Sequence, residues 1–146
     1  MWVIERIAAG ERARAKELFA LLARVLGDQP GPLTDAYLDR LLQRDSFWAF
    51  AAIEEGRVIG GLTAHVLPMT KAERAELLVY DIAVAEAYQR QGVGRSLIQA
   101  ARDEAVSQGI GVVFVLADNQ DEHALRFYQG LGATGSPVTL FEWNRR

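Results

Sequence analysis

The chain has 146 residues, half of them apolar and 24% charged, with a formal net charge of −3 and no cysteine. That is the composition of one ordinary globular domain, residues 1–146, long enough to bury a core. It excludes disulfides, thiolate metal sites and a cysteine nucleophile, and without a lysine or arginine block it argues against nucleic-acid binding. No run of 18 apolar residues occurs and the N-terminal stretch has no apolar signal-peptide run, so no membrane span or leader is expected. With the absence of cysteine, this fits a cytoplasmic location.

Residues 2–7 alternate well enough to form a first strand. Residues 11–26 carry Leu18, Leu21, Leu22 and Val25 on one face, with Arg12, Arg14 and Lys16 largely outside it, which predicts an amphipathic helix. Gly27-Asp28-Gln29-Pro30-Gly31-Pro32 reads as a loop. Thr34 or Asp35 caps a short helix holding Tyr37, Leu38, Leu41 and Leu42. Residues 47–53 and 58–67 are apolar runs joined by Glu54-Glu55-Gly56-Arg57, a hairpin signal, and Pro68 ends the second strand. Residues 75–84 form a central strand. From Val93 the apolar positions Leu97, Ile98, Ala101 and Ala105 share a helix face, and Gly109 is a stop. Residues 112–116 form another strand. Asp121-Glu122 precede an amphipathic helix through Leu131, and residues 139–143 form the last strand.

The order β-α-α-β-β-β-α-β-α-β predicts an α/β (α+β) fold: a mixed, mostly antiparallel sheet flanked by helices. The sheet should split where its parallel pair diverges. A ligand outside the carboxyl ends of those strands would meet the turn Gln89-x-x-Gly92-x-Gly94. That turn joins a strand to a helix, so free N–H groups and the helix dipole make it an anion site, and glycine permits close approach. It is neither the dinucleotide G-x-G-x-x-G pattern nor a P-loop.

Among the carboxylates, Asp81 is the most telling. It lies inside an otherwise apolar strand, so it should face a cleft or a partner, as a general base or an amine-binding group. Glu76 has the opposite parity on an ideal strand, which a bulge would reverse. Asp118 and Asp121 follow the next strand, and Asp121 suits the cap of the following helix. Glu142 in the last strand adds negative charge. Two isolated histidines, His65 and His123, make no metal site, and no role is assigned to either.

Three features together resemble the GNAT superfamily of N-acetyltransferases: Ile82-Ala83-Val84, the Gln89-x-x-Gly92-x-Gly94 turn, and Ala124-x-x-x-Tyr128-x-x-x-Gly132. The resemblance implies a sheet splayed at an acyl-CoA site, acetyl-CoA as cosubstrate and no metal. It implies that Gln89 opens the cofactor turn. The backbone of Gln91, Gly92, Val93, Gly94 and Arg95 then holds a pyrophosphate, with the Arg90 and Arg95 side chains beside it. It further implies that the backbone of Ile82, Ala83 and Val84 pairs with the pantetheine, and that Tyr128 protonates the leaving thiolate. The region 28–37 would border the acceptor. Asp121 stands where many members carry a cofactor-touching asparagine, which is a departure.

The segments Phe47-x-Ala49-x-Ala51-Ala52, Val58-x-Gly60-x-Leu62-x-Ala64-x-Val66-Leu67-Pro68, Tyr80-Asp81-x-Ala83-Val84 and Ala117-Asp118-x-x-Asp121, with Gly27-Asp28 and Tyr37-Leu38, are similar to the type I aminoglycoside 3-N-acetyltransferases. That likeness implies direct acetyl transfer to the 3-amino group of a deoxystreptamine ring in a ternary complex, and hence antibiotic resistance. Asp81 would position or deprotonate the amine. Asp28, Tyr37, Asp81, Asp118, Asp121 and Glu142 would receive a polycation. Family members commonly dimerise, and the likeness carries a homodimer over to this chain. Two other readings stay open: the same chemistry on a polyamine, amino acid or protein lysine, and a non-catalytic acyl-CoA-binding module.

Overall fold

The computed structural model describes residues 1–29 and 31–144. The elements in order are β1 (Val3–Arg6), α1 (Arg12–Val25), α2 (Asp35–Leu42), β2 (Phe47–Glu54), β3 (Arg57–Pro68), β4 (Ala75–Val84), a 3-10 turn (Glu86–Tyr88), α3 (Val93–Ser107), β5 (Val112–Val115) and α4 (Glu122–Gly130). They fall into two compact units, Met1–Leu116 and the segment from Ala117 onward.

In the first unit the strands pair in chain order, β1-β2-β3-β4-β5. Neighbours among the first four are antiparallel and β5 runs parallel to β4, which is the predicted mixed sheet. The β2–β3 hairpin closes on Glu55 and Gly56, both left-handed (φ 50° and 78°), the turn whose twist suits two antiparallel strands. Thr34 caps α2, its hydroxyl accepting from the Tyr37 N–H at 3.1 Å. Alternation sorts β2 cleanly. Phe47, Ala49, Ala51 and Ile53 pack against α1 and α2, while Trp48, Phe50 and Ala52 pack with α3. Each face of the sheet thus has its own apolar cluster.

Two adjacent glycines in β3 set how closely the helices approach. A Cβ on Gly61 would overlap the Leu18 side chain of α1 and stand 3.1 Å from the Phe50 carbonyl oxygen. A Cβ on Gly60 would stand 3.1 Å from the Ala83 carbonyl oxygen and 3.2 Å from Val93 Cγ1 of α3. Consecutive strand residues face opposite sides, so one Gly-Gly step admits a helix on each face.

The predicted strand at residues 139–143 does not form. Residues 133–144 are irregular, and Val138, Leu140, Phe141 and Trp143 are each at least 70% exposed. Strand-like composition supplies side chains that suit a sheet but no partner, and a strand exists only through its ladder. Among the described residues no helix is long and apolar enough to cross a membrane.

Gly61→Ala is expected to cost about 1–3 kcal/mol of unfolding free energy, as overpacking against a backbone oxygen does. Urea denaturation reads this as a lower midpoint. An unchanged midpoint would show that Leu18 swings clear and that the glycine is dispensable.

Candidate active site

The site begins with an irregularity in β4. Thr63 pairs with Asp81 and Ala64 pairs with Val79, so Tyr80 is an extra residue opposite no partner. This is a β-bulge, and it inverts the side-chain alternation. Before it, Leu77 and Val79 point into the α3 cluster. After it, Ile82 and Val84 pack against that same cluster, and Ala83 joins the cluster under α1. The consecutive residues Tyr80 and Asp81 therefore both line a cavity on the α1 side. The bulge also lies between Glu76 and Asp81 and brings them to the same parity, although Glu76 does not line the cavity.

The cavity measures about 280 Å³. Its walls are apolar where they come from Phe19 and Leu22 of α1, Leu26 just after it, Leu33, Leu41 of α2 and Phe47 of β2. Its polar lining is Asp28, Tyr37, Thr63, His65, Tyr80 and Asp81. Burial, and then the charge of Asp28, push the Asp81 carboxyl above the usual carboxylate range, against the Thr63 hydroxyl and the charge of His65. A carboxylate so raised holds a proton better than a free one.

Charge pairs tie α2 to α1, two elements that line this cavity. Arg12 donates from Nε and Nη2 to the two carboxylate oxygens of Asp39, at 2.7 and 2.6 Å, and from Nη1 to Asp35 at 3.4 Å. Lys16 pairs with Asp35 at 2.9 Å. Lys16 and then Arg12 hold the Asp35 carboxyl below its ordinary range, and Arg12 does the same to Asp39. These groups are exposed, so the network orients the two helices more than it stabilises them.

Around the end of the same strand lies a second feature. β5 pairs with β4 only over Glu76–Val79, so the backbone from Tyr80 to Val84 has no partner on that edge among the described residues. The Gln89 side chain donates to the Val84 carbonyl at 2.9 Å and ties the following turn to the strand. Arg90 and Gly92 are left-handed, at φ 64° and 92°. The first helical bond of α3 runs from the Ser96 N–H to the Gly92 carbonyl at 3.0 Å. The N–H groups of Gln91, Gly92, Val93, Gly94 and Arg95 are therefore unpaired among the described residues, as at any helix start. The Arg90 and Arg95 side chains are exposed beside them. Donors, dipole and two cations in one turn fit a diphosphate.

In the second unit, Asp121 accepts from the Ala124 N–H at 3.0 Å and caps α4, while Asp118 accepts from the Gln120 N–H at 2.8 Å. Both carboxylates thus serve local turns. Tyr128 of α4 stacks edge-on against Phe127, with centroids 5.1 Å apart. Burial and the charge of Asp121 push its hydroxyl above its ordinary range, so at neutral pH it is a proton donor. Glu142 is exposed in the irregular stretch.

Of the six residues expected to receive the acceptor, the cavity of the first unit gathers Asp28, Tyr37 and Asp81, while Asp118, Asp121 and Glu142 belong to the second unit. Sequence reasoning missed Thr63, His65 and Tyr80. Alternation from Thr63 could have placed His65 on one face with it. Nothing in the composition marks the bulge that adds Tyr80.

The acetyltransferase (GNAT) family matches residues 12–133. An uncharacterized N-acetyltransferase of Bacillus subtilis strain 168, YvbK, is 31% identical over 87% of this chain and 73% of its own. The chain spans 47% and 28% of two other curated acetyltransferases that it matches. Among solved structures, the aminoglycoside acetyltransferase meta-AAC0020 from an uncultured soil metagenomic sample, in complex with sisomicin, is 31% identical with a TM-score of 0.94. The alignment covers 99% of this chain and 97% of that one. The aminoglycoside N-acetyltransferase AAC(6')-Iy in complex with CoA shares the fold at 18% identity and a TM-score of 0.82, over 100% and 96% of the two chains.

Because the folded Asp81 binds its proton more tightly than the unfolded chain does, stability falls as the pH rises from the ordinary carboxylate range through the raised value. Asp81→Asn is therefore expected to melt higher than the parent at pH 7 to 8, with the gap closing in acid. A lower melting temperature at neutral pH would show that the carboxylate is a structural partner instead.

Proposed function

Since the chain belongs to the acetyltransferase (GNAT) family, we propose that it transfers the acetyl group of acetyl-CoA to the 3-amino group of an aminoglycoside, directly and in a ternary complex. The observation that carries this reading is the pairing of Asp81 with Asp28 in a cavity on β4, the strand whose free edge leads into the anion-type turn. The sisomicin-bound neighbour supports the acceptor class. The CoA-bound neighbour supports the cosubstrate. The choice of the 3-amino group rests on the sequence likeness alone.

Acetyl-CoA supplies an acyl thioester. The backbone N–H groups of residues 91–95 and the side chains of Arg90 and Arg95 bind its diphosphate. The free edge at Ile82 and Ala83 offers backbone groups for the pantetheine amides, while the Val84 carbonyl is already taken by Gln89. Asp81 accepts the proton that the acceptor ammonium must lose before its nitrogen attacks. Asp28 adds a second negative charge that draws a polycation into the cavity. As the N–C bond forms and the C–S bond breaks, Tyr128 gives its proton to the sulfur. The sequence likeness alone adds Asp118, Asp121 and Glu142 as further carboxylates for the acceptor. The same reading makes the enzyme a cytoplasmic, homodimeric resistance protein of one domain that needs no metal, nucleic acid or membrane.

A second reading, another amine as acceptor, is favoured by the apolar walls from Phe19, Leu22, Leu26 and Phe47, which suit an amine on an apolar body.

CoA release from acetyl-CoA separates these readings when sisomicin, gentamicin, spermidine and a lysine peptide are compared. Turnover confined to the aminoglycosides, with the product acetylated at the 3-amino nitrogen, is expected. Tight acetyl-CoA binding without aminoglycoside turnover would sink the proposal. Asp81→Asn should lower kcat/KM at least about a hundredfold, as loss of a general base does, and leave the acetyl-CoA Kd unchanged. Tyr128→Phe should lower kcat about tenfold or more at an unchanged melting temperature. A purely thermal loss would make Tyr128 a packing residue.

A further inference from the structure

His65 is the cavity residue without an assigned task. It lies on β3, two residues from Thr63 and on the same face, where Thr63 is the register partner of Asp81. Its ring is held between two others, Phe47 of β2 at a centroid distance of 5.3 Å and 57°, and Tyr80 of the β4 bulge at 5.4 Å and 82°. Neither imidazole nitrogen has a hydrogen-bond partner among the described residues, and neither is sealed away from the open space. A phenyl ring would fill the same wedge, so stacking alone does not call for imidazole.

The other polar groups leave a task undone. Asp81 and Asp28 attract any cation, and Coulomb attraction is weakly directional. An acceptor carrying several amines would be drawn in without being told which nitrogen to present. Discrimination among them requires a fixed, directional donor or acceptor. Among the cavity's polar groups, His65 is wedged by aromatic rings from two other strands, so its ring direction is set before a ligand arrives.

We propose that His65 is an acceptor-binding residue: its imidazole hydrogen-bonds a polar group of the acceptor next to the reacting amine and so selects which amine faces Asp81. This rests on the reading of the cavity as the acceptor site of an acetyltransferase, and it holds for any multi-amine acceptor. The charge of His65 also opposes the upward push on the Asp81 carboxyl, which places the two groups within electrostatic reach of each other.

Two variants separate the ring from its nitrogens. His65→Phe keeps the wedge, and His65→Gln keeps a hydrogen-bonding group. With the amine that the parent enzyme turns over best, His65→Phe is expected to raise the acceptor KM about tenfold and hold kcat within about threefold, the loss of one hydrogen bond. The acetyl-CoA KM should not move, a second acetylated position should appear in the product, and His65→Gln should recover most of the acceptor KM. Unchanged acceptor KM and a single product in His65→Phe would overturn the proposal.

The chain has only two histidines. Imidazole NMR signals of the full-length protein therefore give a readout free of turnover. Titration with sisomicin or spermidine should shift His65 and leave the exposed His123 of α4 in place. If spermidine shifts His65 and is acetylated while sisomicin does neither, the aminoglycoside reading fails and the role of His65 stands. If an acetylated amine leaves the His65 signals unmoved, the role of His65 fails and the acceptor reading stands.

Discussion

The site depends on one extra residue in β4. Without the bulge at Tyr80, strict alternation would send residues 79, 81 and 83 to one face of the sheet. Val79 is buried under α3, so Asp81 would be carried there too, into an apolar cluster that offers no partner for a charge. With the bulge, Val79 keeps its place under α3 while Asp81 turns to the α1 side and meets the cavity. The backbone thereby meets two demands that no regular strand meets together: a continuous core below and a carboxylate in a cleft above. The same step brings Tyr80 alongside His65 and completes the aromatic wall.

The neighbouring features follow from how the sheet is closed in and where it stops. The Gly60-Gly61 step lets α1 and α3 approach the two faces at nearly one point. With α1 so close, its residues Phe19 and Leu22, with Leu26 at its C-cap, become one wall of the cavity. On the other side, β5 is only four residues long and pairs no further than Val79. Beyond that point β4 runs on to Val84 with no partner on that edge among the described residues, and the chain then passes through the 3-10 turn to the start of α3. The cavity and the anion-type turn are thus both connected to one strand, the first lined by its side chains and the second following its end.

Much of this was legible in the chain. Hydrophobic patterning placed the helices and the first five strands within a residue or two, because a helix's apolar face and a strand's apolar run bounded by turn residues are both local signals. The Gln89-x-x-Gly92-x-Gly94 turn was legible because left-handed backbone and a helix start need particular residues at particular spacings. Asp81 stood out because a carboxylate in an apolar strand is costly. The strand expected at residues 139–143 was misread for the complementary reason: alternating apolar residues describe a surface that could pair, and pairing needs a second strand. His65 was passed over because one histidine among alternating residues carries no signal until its neighbours across the sheet are known.

By itself, then, the sequence determined most of the segments that are helix or strand, where an anion-type turn opens a helix, and that Asp81 should face a cleft or a partner. These are matters of local spacing and of the cost of burying charge. Only the tertiary structure decided which groups share that cleft. Asp28 from a loop, Tyr37 from α2, Thr63 and His65 from β3, and Tyr80 and Asp81 from β4 are brought together by cross-strand register and a single bulge. Register is a relation between strands distant in sequence, and a slip of one residue exchanges the two faces of a sheet. No single stretch of chain contains it.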